Sequence, residues 1–300
     1  MGSMDSQGNR LISSMPRNSV ALRFSNSTLL HAIRSSKNSA HEGFFTPPDP
    51  AQWYWPTCGA NVEGFVFIFA MRVEPGPPGL FPFKLAGTDV LSLGPAGDLS
   101  DDPLQWPTPS ISRLPFTSAN VTLGNAVGLS TADGHVYILG GFSGDARAAF
   151  MARIPMGALL VGEWGALTAW TTRGEWESLE SDPPLQQLFD FVPSESTLTY
   201  HPSLKLWVIL RVNTFLGNNV TLLSATLPEG PYFSQDIYAI PPEQLAGDAF
   251  CYAGKVHPEL SDSALAAELV FTYMCNTPSL SGLRDRADVY IPQLVRVTFS

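Results

Sequence analysis

Residues 125–141 read NAVGLSTADGHVYILGG. Two apolar runs flank Asp133-Gly134, a dipeptide whose tolerance of left-handed backbone turns one strand back beside the next. The stretch is predicted as a β-hairpin, and the plan recurs. One copy is Trp53-Tyr54-Trp55-Pro56, a turn over Asn61 to Gly64, and FVFIFAMRV from Phe65. Another is STLTY from Ser196, a turn at Pro202-Ser203, and LKLWVILRV from Leu204. The last is FCYAGKV from Phe250, a turn near Ser261 to Ala266, and ELVFTYM from Glu268.

Each hairpin is followed by a further apolar strand: FKLAGTDVLSL from Phe83, AFMARIP from Ala149, VTLLSATLP from Val220 and VYIPQLVRVTF from Val289. ALTAW at Ala166 and DIYAI at Asp236 supply outer strands. The first strands start about 55 to 70 residues apart, a period that suits a four-stranded propeller blade with long loops. One blade cannot bury both its faces, and stacking blades around an axis does so while protecting sheet edges. NSVALRF from Asn18 and LLHAI from Leu29 read as a further, incomplete unit. The prediction is an all-β, five-bladed β-propeller whose first blade is incomplete. It forms one domain over residues 1–300, with blades near 9–50, 51–115, 116–190, 191–245 and 246–300. Residues 145–160 have a helical composition, but Pro155 and Gly157 count against a helix.

Composition supports this. Charged residues are 15% of the chain, too few for disorder or a coiled coil, and 25 Gly with 26 Pro imply many turns and short elements. With 17 Lys and Arg against 27 Asp and Glu, the net charge of −10 argues against nucleic acid, which requires clustered cations. No run of 18 apolar residues exists, so no membrane partner is expected. The dinucleotide, P-loop, zincin and nucleophile-elbow motifs are all missing, and no His or Cys has metal-finger spacing, so no cofactor and no metal are expected. The opening Met1-Gly2-Ser3-Met4 shows neither the charged nor the apolar region of a leader. Sequons at Asn26, Asn120 and Asn219 lean towards a secreted or extracellular protein, expected as a monomer. Cys251 and Cys275 lie symmetrically about the last hairpin turn, which allows either a disulfide or two core thiols, with Cys58 unpaired.

CYAGKVHPELS from Cys251, ELVFTYMCNT from Glu268 and VYIPQLVRV from Val289 resemble the last blade of a β-propeller family of formerly unknown function, linked to endo-D-arabinan cleavage. MPRNSVAL from Met15, YWP from Tyr54, DDPLQW from Asp101, HVYILGG from His135, MARIP from Met151, SESTLTYHP from Ser194 and ATLPEGPY from Ala225 fit the same family. The resemblance runs from about Asn9 to the end. More distantly the chain is similar to arabinanase-type five-bladed glycosidases, whose inner strands carry three carboxylates and a channel histidine. That likeness implies Glu195 as general acid and His257 as the channel histidine. Asn18 and Asn125 stand where aspartates are usual. Relatives carry a Gly-Asp-Thr type strand just before the Asn18 region. This chain reads MGSMDSQGNR there, with Asp5 the only acid, so an expected aspartate is missing.

Glycoside hydrolysis uses two carboxyl groups, about 5 Å apart for retention and roughly 6.5–9.5 Å apart for inversion, one of them kept protonated by its surroundings. Glu195 and Glu259 are the catalytic candidates. Arg17, Asn18, Trp55, Asn125, Lys255, His257 and Asn276 are the candidates for holding sugar, through their several donors or, for Trp55, by stacking on a ring face. Plain alternatives stand beside them: a solvated loop carboxylate for Glu195, an acid tying a turn to backbone amides for Glu259, a structural histidine for His257, blade-closing hydrogen bonds for Arg17 and Asn18, a salt bridge for Lys255 and core packing for Trp55. The sequence thus predicts a glycoside hydrolase-like propeller acting on arabinan or a related polysaccharide. A non-catalytic carbohydrate-binding propeller and a protein-interaction scaffold are the rival readings.

Overall fold

The computed structural model describes residues 17–23, 29–32, 43–79, 82–117, 121–142, 148–212, 214, 217–260, 267–286 and 288–299. Four antiparallel sheets follow one another along the chain. The first holds β3 (Trp53–Val62), β4 (Phe65–Pro75), β5 (Phe83–Pro95) and β6 (Ser110–Arg113). The second holds β7 (Val121–Ser130), β8 (His135–Phe142), β9 (Ala149–Pro155), β10 (Thr168–Trp170) and β11 (Trp176–Ser178). The third holds β12 (Thr197–His201), β13 (Leu206–Val212), β14 (Asn219–Ala225) and β15 (Phe233–Ala239), and the fourth β16 (Phe250–Val256), β17 (Glu268–Asn276) and β18 (Gln293–Thr298). In each sheet the strands lie in chain order, the meander expected of a propeller blade. No described helix is long and apolar enough to cross a membrane.

The hairpins form where turn chemistry demands. Glu63 and Gly64 both adopt positive φ (49° and 88°), the two-residue turn that matches strand twist, and the Asn61 side chain accepts the Gly64 N–H at 3.0 Å. At the Asp133-Gly134 turn, Gly134 has φ 72° and Asp133 accepts the His135 N–H at 3.3 Å. A short helix α1 (Met156–Val161) follows β9 directly. Pro155 sits outside it as the N-cap, where a missing N–H costs nothing, and Gly162 at φ 71° ends it. The proline that argued against a helix marks its start.

Apolar cores lie between neighbouring blades. Phe67 and Phe69 of the first sheet meet Leu123, Ile138 and Phe150 of the second. Leu139 and Met151 meet Leu198, Trp207 and Ile209 of the third. Leu210 and Val220 meet Phe271 and Tyr273 of the fourth. Blades approach closely near the axis because glycines stand there. A Cβ on Gly128 would lie 2.8 Å from the Trp207 ring, and one on Gly124 (φ 89°) 2.8 Å from Phe69. Gly124→Ala should therefore cost about 2 kcal/mol or more, from strained backbone plus overpacking. A shifted guanidinium midpoint would measure it, and an unchanged midpoint would contradict it.

The expected fifth blade is not present: the described residues make four blades and one ribbon. That ribbon pairs β1 (Val20–Arg23) with β2 (Leu29–Ala32), four residues each. Its flanking segments serve the first blade instead. Phe44, Phe45 and Val20 pack on Tyr54, Ala70 and Leu91, covering the face of that sheet turned away from the second. A sheet face needs only an apolar cover, and two phenylalanines and a valine supply one without a further full blade.

The inner strands β3, β7, β12 and β16 are joined by a belt of hydrogen bonds. The Thr57 hydroxyl donates to the Gly124 carbonyl. The Ser196 N–H donates to Asn125 O at 2.9 Å. Lys255 Nζ donates to Ser196 O and to Thr57 O, each at 2.5 Å, and so closes the circuit. Three of these strands carry a register shift at the belt: between Pro56 and Cys58, Leu123 and Ala126, and Tyr252 and Lys255. A bulge leaves backbone groups unpaired within its own sheet and re-aims side chains. Here those groups pair across blades.

Candidate functional site

Glu195 stands beside the belt, two residues before β12. The segment that carries it is clamped. Asn125 Nδ2 donates to Pro193 O at 2.9 Å and Ser194 O at 3.5 Å, Asn125 Oδ1 accepts from the Thr122 hydroxyl at 2.9 Å, and Asn125 O takes the Ser196 N–H. The Ser194 hydroxyl donates to Glu195 Oε2 at 3.1 Å. Glu195 keeps some accessible surface. The surrounding protein governs its ionisation: desolvation raises its pKa, with Lys255 and the Ser194 hydroxyl pulling it back.

Lys255 sits in the same surroundings. Burial lowers its pKa, opposed by Cys58 and Glu195. Burial pushes the Cys58 thiol up to about 11, against the pull of Lys255 and Thr57, so it is no thiolate nucleophile near neutrality. Tyr252 and Tyr290 both have raised pKa values, from burial first, and both feel the Glu195 charge. Tyr290 also feels Arg17, whose own pKa burial lowers and whose guanidinium carbon lies 4.4 Å from the centre of the Trp53 ring. Asn276 donates to the Tyr252 hydroxyl at 3.4 Å and accepts the Thr277 N–H at 2.8 Å. The result is one carboxyl, one ammonium, two phenols, one amide and, at the edge, one guanidinium.

Of the residues singled out from sequence, Glu195, Lys255, Asn276 and Arg17 fall in this neighbourhood. Others are placed elsewhere or committed to the protein. Asn18 donates to Phe45 O at 2.9 Å and Tyr54 O at 3.1 Å and accepts the Phe45 N–H at 2.7 Å, tying the N-terminal segment to the first blade. Asn125, 2% exposed, spends its amide on the clamp. Trp55 packs edge-on against Phe83 at 4.5 Å, beside Trp53, Met71 and Val73. His257 lies just past the end of β16, its Nδ1 2.9 Å from Glu259 Oε1 and its Nε2 2.8 Å from the Thr272 hydroxyl. Glu259 is in a 3-10 turn (Pro258–Leu260) with its side chain 66% exposed. Asp89, the buried carboxylate of the first blade, is on β5 and held by Arg72 at 3.3 Å and the Tyr54 hydroxyl at 2.6 Å.

Tyr252 and Tyr290 were not anticipated. Strict alternation along FCYAGKV puts Tyr252 and Lys255 on opposite faces. Ala253, at φ 57° beside the bulge, brings both under the influence of Glu195. An alanine carries no mark of such a backbone. Among the described residues no group of three or more His, Cys, Asp and Glu has the arrangement of a metal site.

The amide of Asn125 invites a direct test. Asn125→Asp replaces two donors facing carbonyl oxygens with a carboxylate. It should cost about 3 kcal/mol at neutral pH, and less in acid, where the protonated group donates again. Melting curves at both pH values would show this; equal stability of the two proteins throughout would contradict it.

The sequence profile of the domain of unknown function DUF5005 matches residues 1–299. No curated protein matches. Among solved structures, a putative hydrolase from Bacteroides ovatus aligns over 83% of this chain and 61% of its own length, with TM-score 0.59 and 17% identity. The chain thus spans about three fifths of that protein. A family 117 glycoside hydrolase from Zobellia galactanivorans aligns over 82% and 69%, with TM-score 0.37 and 11% identity. A GH43 β-xylosidase/α-arabinofuranosidase from a compost metagenome aligns over 90% and 96%, with TM-score 0.32 and 9% identity. The first likeness bears on the fold alone, and the other two are too distant to carry an argument.

Proposed function

The chain belongs to the DUF5005 family, and we propose that its central channel binds a polysaccharide, arabinan or a related glycan, and cleaves it with Glu195 as proton donor. The observation that carries this reading is the clamp of Asn125 on the segment bearing Glu195, a carboxyl whose pKa burial raises. A general acid must be protonated near the working pH and fixed in place; the upward shift of the Glu195 pKa and the clamp on its segment favour both. The phenols of Tyr252 and Tyr290 and the amide of Asn276 are suited to sugar hydroxyls. The solved relative described as a putative hydrolase supports the reaction class. The disulfide between Cys251 and Cys275 supports secretion into an oxidising compartment.

A binding-only channel is the second reading. Among the described residues, Glu195 is the one carboxylate whose charge acts on Lys255, Tyr252 and Tyr290, and a hydrolase of the usual type needs two. Incubation with a panel of neutral and acidic polysaccharides that includes arabinan separates the two. New reducing ends from any member support hydrolysis. Retention on a glycan column without new reducing ends supports binding alone, and neither result removes carbohydrate from the account.

A further inference from the structure

We propose that Thr272, His257 and Glu259 form a second catalytic group, separate from the Glu195 site, which hydrolyses esters of short carboxylic acids through a threonine nucleophile. The imidazole of His257 lies between the other two. Its Nδ1 is 2.9 Å from Glu259 Oε1, and its Nε2 is 2.8 Å from the Thr272 hydroxyl. A carboxylate only accepts hydrogen bonds, so the proton of the neutral ring sits on Nδ1 and is donated to Glu259. Nε2 is left with its lone pair, and the Thr272 O–H donates to it. Hydroxyl, imidazole and carboxylate thus stand in the order, and the ring in the tautomer, that nucleophilic acyl transfer uses.

Two strands and a turn bring these groups together. His257 follows β16 directly, its N–H bonded to Val270 O of β17 at 2.8 Å, and Glu259 sits in the 3-10 turn Pro258–Leu260. On β17, Phe271 and Tyr273 are buried against the third blade, and alternation turns Thr272 to the opposite face. Its neighbour there on β18 is Leu294, 57% exposed, which leaves that side open to an approaching ligand. Thr272 itself is half-buried, so an acyl group that reaches it must be small, as in an acetyl ester. Thr272 Oγ attacks the ester carbonyl carbon, and its proton passes to His257 Nε2. The bond from that carbon to the alcohol oxygen breaks, and the alcohol leaves with the proton. Water then cleaves the acyl-threonine by the same exchange, releasing the acid and restoring the hydroxyl. Glu259 is a positioning residue. Its side chain is 66% exposed, and exposed ion pairs hold weakly, so it contributes less than His257.

The test treats the whole chain with an alkyl fluorophosphonate, which phosphonylates a hydroxyl activated by an adjacent base and releases fluoride. Peptide mass mapping is expected to find the adduct on Thr272. His257→Gln should slow the labelling about 100-fold or more, as loss of a positioned base does. Glu259→Gln should slow it about fivefold, the upper worth of an exposed pair. A folded wild-type chain with no adduct on Thr272 overturns the proposal, and so does labelling at the full rate in folded His257→Gln. Should His257→Gln fail to fold, Glu259→Gln decides, because its side chain is exposed: labelling at the wild-type rate overturns the proposal. Glu195→Gln must label as wild type does, and a loss of labelling there would tie the activation of Thr272 to the other site and overturn its independence. For the substrate class, p-nitrophenyl acetate should be turned over and the palmitate ester should not; a chain that turns over neither overturns the reaction.

Discussion

Glu195→Gln is expected to lower the rate of glycan cleavage by about 100- to 10,000-fold, the span over which a positioned proton donor acts. Glutamine keeps the shape and the hydrogen bond from Ser194 but has no proton to deliver. Binding should survive, so the loss should appear in kcat with little change in KM. The same substitution has a consequence for stability. The folded pKa of Glu195 lies above its unfolded value, so its ionisation works against the fold. That cost is absent below the unfolded pKa, grows through the window up to the folded one and is complete above it. Glu195→Gln should therefore melt above wild type at about pH 8 and level with it near pH 4. A variant with wild-type turnover, or one that melts lower at the higher pH, would contradict the placement of this carboxyl.

The second large effect concerns the last blade. Cys251 and Cys275 are directly opposed on β16 and β17, both buried, and joined by a disulfide across 24 residues of chain. Closing a loop of that length removes unfolded-state entropy worth roughly 3 kcal/mol. Replacing both cysteines by alanine should lower Tm by about 5–10 °C, measured calorimetrically under non-reducing conditions. Wild-type protein in strong reductant should approach the same value, and a double variant melting within a degree or so of wild type would show that the bond carries little of the stability.

The hairpins were legible because their turns are local. Asp133-Gly134 or Glu63-Gly64 needs no knowledge of the rest of the chain to reverse it. The count of blades was not legible, because Val20–Arg23 and Leu29–Ala32 pair as strands whether or not they build a blade. Only the packing of Phe44 and Phe45 on the first sheet shows what that segment does. At the site, Glu195 was singled out by the likeness to arabinanase-type propellers, whose general acid opens the same inner strand. Asn18 and Asn125 were recognised as donors, but whether an amide meets a sugar or a neighbouring carbonyl depends on contacts across 27 and 68 residues. The same likeness put His257 in the channel, whereas just past the end of β16 its imidazole turns to Glu259 and Thr272. The bulge at Ala253 was invisible for the opposite reason: a left-handed alanine is imposed by tertiary packing that local preference opposes.

Everything functional in this account turns on where a sugar lies. Crystals of the Glu195→Gln variant, soaked with an oligosaccharide related to the glycan that wild-type protein acts on or retains, would show it. The expected result is a chain of sugars seated over the belt where the inner strands converge, with a glycosidic oxygen about 3 Å from the side chain at position 195. Sugar seated on an outer blade edge, with none over the belt, would contradict it.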